Sequence, residues 1–70
     1  MLPQVSGQEV ARALAKVGYS VVRQRGSHLM LRGGQGVGIT VPNHNPVAPG
    51  TLRAIIRSAG LTVQEFIHLL

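Results

Sequence analysis

SVVRQRGSHLMLRGGQGVGITVP, residues 20–42, alternates apolar with polar side chains and is punctuated by glycine. Such alternation marks half-buried strands, and glycine supplies the positive φ that tight turns need. The spacing predicts three short strands at 20–25, 27–32 and 37–42, joined as an antiparallel meander. In the second strand Leu29 and Leu31 face one way while His28, Met30 and Arg32 face the other; in the third, Val37, Ile39 and Val41 oppose Gly38 and Thr40. The aliphatic set must meet a layer of helices. Gly33-Gly34-Gln35-Gly36 reads as the loop between the second and third strands. It is no nucleotide-binding loop, because those glycine motifs present a helix N-terminus to the phosphate and here a strand follows.

Helical signals flank the meander. Upstream, Ser6 and Glu9 have the spacing of a capping box, and Val5 and Val10 that of a hydrophobic staple. The helix starts at Gly7; Val10, Leu14 and Val17 form its apolar stripe, widened by Ala11 and Ala13, and Gly18 supplies the left-handed stop. Downstream, Pro42-Asn43-His44-Asn45-Pro46 is a loop and Pro49 opens a second helix. Leu52, Ile55, Ile56 and Ala59 are its buried stripe, Arg53 and Arg57 share a neighbouring flank, and Gly60 ends it. Thr62 with Glu65 makes another capping box, and Leu61 with Phe66 another staple, for a short terminal helix. The expected order is α-β-β-β-α-α: one α+β domain over residues 1–70, with helices on one face of a three-stranded antiparallel sheet.

Seventy residues, 44% hydrophobic and 13% charged, suffice for one small packed domain and are too apolar for disorder. A core of this size seldom supplies more than about 3–5 kcal/mol, so the caps matter. Without cysteine, no disulfide or thiolate site can reinforce it. Met1-Leu2-Pro3-Gln4 lacks the layout of a signal peptide, and no apolar run approaches the roughly 18 residues of a membrane span, so a cytoplasmic protein is expected.

The net charge is +5, with all seven Lys and Arg inside a stretch that holds no Asp or Glu between Glu9 and Glu65. So one-sided a field suits a polyanion, either nucleic acid or an acidic protein. Both carboxylates are engaged as caps, which removes the ligands and acid pairs that two-metal nucleases, glycosidases and NTPases require. The chemistry left needs neither metal nor cofactor and rests on histidine, serine, tyrosine or arginine. Tyr19 and Phe66 are the only aromatics, too few for a base-stacking platform.

His28 is expected on the solvent face of its strand. If Arg25-Gly26 is a two-residue hairpin turn, Arg23 lies opposite His28 and Val21 opposite Met30. Imidazole beside guanidinium suits a phosphodiester: one moves a proton, the other stabilises charge on phosphate oxygens. RNA even brings its own nucleophile, the ribose 2′-OH. Ser27 is no partner for His28 as a dyad, because adjacent strand residues face opposite ways. His44, in the loop, either touches phosphate or is solvated, and His68 sits where a helix C-terminus favours positive charge. Arg53 and Arg57 form either a phosphate-tracking stripe or a solvated helix face. A non-catalytic RNA-binding module and a basic protein-interaction domain are the rival readings.

Four stretches together resemble the HicA family of toxin–antitoxin toxins, small mRNA-cleaving proteins also known through the YcfA-like domain. They are Val17-Gly18-Tyr19, Arg23-Gln24-Arg25-Gly26-Ser27-His28, Thr40-Val41-Pro42-Asn43-His44, and Pro49 through Leu61 leading to Glu65-Phe66. The resemblance implies a double-stranded-RNA-binding-domain-like fold and a ribosome-independent mRNA interferase in which the histidine of Gly-Ser-His is catalytic, here His28. It also implies a HicB-type antitoxin that masks the site and through which alone DNA would be met. The glycine-rich loop departs from the charged or longer segments common in the family. On this reading His28 assists attack of the 2′-OH or protonates the leaving oxygen, Arg23, Arg25 or Lys16 stabilises the transition state, and Arg32, Arg53, Arg57 and His44 are further RNA contacts.

Overall fold

The computed structural model describes residues 2–70; Met1 lies outside them. The elements are α1 (Gly7–Ala15), β1 (Ser20–Arg25), β2 (His28–Arg32), β3 (Gly38–Pro42), α2 (Pro49–Ser58) and α3 (Val63–Leu69). The expected order is found, with an antiparallel sheet ordered β1-β2-β3 and all helices packed on one face.

Local chemistry sets the helix ends. Ser6 N–H donates to Glu9 Oε1 at 2.9 Å and Glu9 N–H to Ser6 Oγ at 3.1 Å. Thr62 and Glu65 repeat the exchange at 2.8 and 3.1 Å. Each box satisfies two N–H groups that the first turn of a helix otherwise leaves unpaired. At the other end of α1, Gly18 takes φ +97° while Tyr19 N–H donates to Leu14 O and Gly18 N–H to Ala15 O, the paired bonds of a Schellman stop. Gly60, at φ +74°, ends α2 in the same way, with Leu61 N–H on Ile56 O and Gly60 N–H on Arg57 O.

The core lies between the helices and two of the three strands. Val10, Ala13 and Leu14 from α1, Leu52, Ile55 and Ile56 from α2, and Phe66 from α3 close over Leu29, Leu31, Ile39 and Val41. Two members escaped the sequence reading in different ways: Val47, which lay outside any periodic segment, and Val5, whose burial goes beyond a staple. Val47 N–H donates to Val5 O at 2.8 Å, so the chain before α1 and the loop before α2 are tied together and both valines are buried.

Three expectations need correction. Val17 is 42% exposed, because α1 ends at Ala15 and Val17 belongs to the Schellman turn beyond the stripe. Val37 is 46% exposed, because the β2–β3 loop consumes it and β3 begins at Gly38. The first hairpin turns on Gly26-Ser27 and not on Arg25-Gly26, so β2 begins at His28. Gly26 has φ +58° and Ser27 no positive φ, the pattern of a type II′ turn, which demands glycine at its first central position.

That turn resets the register. Arg25 pairs with His28, Gln24 with Leu29 and Arg23 with Met30. A bulge between Val21 and Arg23 then accommodates Val22 as an extra residue, so Val21 pairs with Leu31 and Ser20 with Arg32. The expected Arg23–His28 and Val21–Met30 pairs are therefore replaced. Every residue of β1 is exposed, since this edge strand extends beyond the helical cover.

Candidate functional site

Pairing across the sheet puts Arg25, His28 and Pro42 on one rung of the open face, with Arg23, Met30 and Thr40 on the next. His28 is exposed, as are Arg23 and Arg25. Direct cross-strand neighbours have side chains about 5 Å apart at Cβ, so a guanidinium and an imidazole share one end of this face. Arg23 lies on the diagonal from His28, one rung away. With Met30, Arg32 and Thr40 it lines a shallow hollow of about 250 Å3 on the sheet.

Pro42 can occupy its rung because the pair is not hydrogen-bonded. Asn43 N–H donates to Ser27 O at 2.6 Å, one step along, so bonded rungs fall at Ser27–Asn43 and Leu29–Val41 and skip His28–Pro42. The missing proline N–H therefore costs no ladder bond. Pairing of the β2 and β3 chains thus continues past the turn and carries Asn43 and His44 to the His28 end of the sheet.

A third element fixes this end. Gly7, the first residue of α1, donates its N–H to His44 O at 2.9 Å, and Gln8 Nε2 reaches Asn43 Oδ1 at 3.5 Å. Gly7 is buried, and a Cβ there would collide with Pro42 O and approach Asn43 Cα to 2.8 Å. The start of α1 therefore lies directly on the backbone leaving β3. This close approach was missed in the sequence, where Gly7 looked like an ordinary first helical residue; a glycine inside a capping box, a position open to any side chain, was the available signal.

The other basic residues stand elsewhere. Arg32 shares the open face but lies four residues along β2 from His28, about 13 Å at strand rise, and its Nη1 donates to Gly36 O at 2.9 Å in the β2–β3 loop. Lys16 lines a groove between α1 and α3 with Glu9, Arg12 and Leu69. Arg53 and Arg57 border a hollow of about 260 Å3 between α2 and the start of α3, with Leu61 and Thr62. Lys16, Arg53 and Arg57 thus belong to the helical side, and the structure does not bring them to His28. The basic field covers both sides of the domain.

Both carboxylates, Glu9 and Glu65, are engaged in the capping boxes of α1 and α3. The Ser6 backbone N–H, then the Ser6 hydroxyl, and Arg12 more weakly, hold the Glu9 carboxyl below its ordinary pKa. Among the described residues no group of three His, Cys, Asp or Glu side chains is gathered that could hold a metal ion. No helix among them is long and apolar enough to cross a membrane. The site offers imidazole, guanidinium and backbone groups on an open surface, a set able to bind a phosphodiester and move protons around it.

A family described as "HicA toxin of bacterial toxin-antitoxin" matches residues 7–61, from the first residue of α1 to the stop of α2. No curated protein matches the chain.

Proposed function

The chain belongs to the HicA toxin family of bacterial toxin–antitoxin systems, and from that premise we propose that it is a metal-independent mRNA endoribonuclease acting in the cytoplasm through His28. The observation that carries the reading is the exposed His28 facing Arg25 across the hairpin, on a sheet face that the helices leave open. The partner is a HicB-type antitoxin covering that face, and DNA is reached only through it.

RNA cleavage fits this inventory because the substrate supplies the nucleophile. The 2′-oxygen bonds to phosphorus as the bond from phosphorus to the 5′-oxygen breaks, leaving a 2′,3′-cyclic phosphate and a 5′-hydroxyl. His28 moves one of the protons that this exchange requires, since imidazole both takes and gives protons near neutral pH. Arg25, and Arg23 from the next rung, meet the charge that grows on the non-bridging oxygens. Arg32, Arg53 and Arg57 serve the longer reach of the RNA backbone, where each contact adds salt-dependent affinity.

The test is incubation of the purified protein with RNA in EDTA. Products ending in cyclic phosphate are expected, and His28→Ala should abolish them while the fold persists. Salt-sensitive RNA binding with no products would identify a binding module instead.

A further inference from the structure

Transesterification of RNA has two proton transfers, and a single imidazole in one protonation state performs one of them. A proton leaves the 2′-hydroxyl and another must arrive on the 5′-oxygen. We infer that His44 is the second proton-transfer group of this site, working with His28 on opposite sides of the scissile phosphate. The inference rests on the ribonuclease reading above and assigns its missing partner.

The backbone supports it at three points. Asn43 N–H on Ser27 O holds the residue before His44 to the residue before His28. Pro42 is the direct cross-strand partner of His28, and His44 follows two residues later, within a span of at most about 7 Å. Gly7 N–H on His44 O, with Gly7 seated against Pro42 and Asn43, anchors this exit to the first turn of α1. Both histidines are exposed at the same end of the sheet, and each sits on backbone fixed by a neighbouring element.

Two charged groups from neighbouring elements stand near these histidines. They are the Arg25 guanidinium from β1 and Glu9 in the first turn of α1, whose carboxyl is held below its ordinary pKa by its cap. His68 lies on α3, and Tyr19 packs by Gly33 at the far end of β2. On this inference two limbs in a pH profile belong to His28 and His44.

The side chain is separable from the anchor, because the bond from Gly7 uses the backbone carbonyl of residue 44, which every substitution keeps. The experiment measures kcat/KM for RNA against pH for the wild type, His28→Ala, His44→Ala and His44→Gln. A bell-shaped wild-type profile is expected, with both His44 variants losing one limb and about 100-fold or more in rate, a typical worth of general acid–base catalysis. Added imidazole should restore part of the His44→Ala rate. With a substrate whose 5′-bridging oxygen is replaced by sulfur, a leaving group needing no proton, the variant lacking the general acid should recover most of its loss. His44 variants that keep both limbs, whether at wild-type rate or uniformly slowed, would overturn the inference and leave His28 standing. Wild-type protein that cleaves nothing would remove the ribonuclease reading itself, and this inference with it.

Discussion

Arg25 stands directly across the β1–β2 hairpin from His28, on the only rung of that hairpin that a type II′ turn at Gly26-Ser27 leaves next to the loop. The placement comes from one glycine. Had the turn used Arg25 and Gly26, Arg25 would sit in the loop and Arg23 would hold the rung. As built, two arginines share the face of the imidazole at successive rungs, and Arg25 is the nearer along the pairing.

Arg25→Gln is therefore expected to lower kcat for RNA cleavage by about 100-fold, the scale of losing one donor to a developing charge, with little change in KM. Arg53→Gln, on the helical side, should raise KM in a salt-dependent way and leave kcat alone. Steady-state kinetics at two ionic strengths separate the two, and an Arg25 variant altered only in KM would refute the assignment.

How far the sequence could be read follows from the range of each interaction. Caps and stops act within a turn, so Ser6, Glu9, Gly18, Gly60, Thr62 and Glu65 all do what their spacing suggests. Strand facing also survives, because Leu29, Leu31, Ile39 and Val41 alternate without interruption. Register did not, since a one-residue shift of the turn and the bulge at Val22 leave no mark in hydrophobic alternation. Contacts between distant segments have no local pattern that names the partner: nothing near Val5 points to Val47, and the glycine in the capping box marks a close approach at Gly7 without saying that Pro42 makes it. The exposed position of His28 was legible because its face follows from alternation alone; the place of His44 depends on those distant contacts.

Gly7→Ala tests one of them. In an ordinary helix the substitution would stabilise by up to about 1 kcal/mol. Here the new Cβ meets the backbone of Pro42 and Asn43, which cannot rotate away, and overpacking of this kind costs about 1–3 kcal/mol. Urea denaturation should show net destabilisation, whereas Gly34→Ala, with nothing within 4 Å of its Cβ, should show no steric penalty. A more stable Gly7→Ala protein would mean that α1 does not rest on the exit of β3.

Phe66 tests the contribution of α3, which lies beyond the matched residues 7–61. Its ring is fully buried, and Phe→Ala in a core costs about 3–5 kcal/mol. That equals the whole stability usual for a domain this small. Phe66→Ala should therefore be about half unfolded or more at 25 °C by circular dichroism, and a cooperative melt close to that of the wild type would show that the core does not need α3.

The cap of α1 carries a pH dependence whose sign is fixed by its hydrogen bonds. Ser6 holds the folded-state pKa of Glu9 below its ordinary value, so the folded chain binds the proton less readily than the unfolded one. The stabilisation from ionised Glu9 is then complete above the ordinary carboxylate pKa and is lost as pH falls through the lower folded value. Glu9→Gln keeps a side chain able to accept from the Ser6 N–H but cannot ionise. Its melting temperature should lie below that of the wild type at neutral pH, and the gap should close as acid protonates Glu9. A gap that stays constant down to strongly acidic pH would assign the effect to shape and not to charge at the N-terminus of α1.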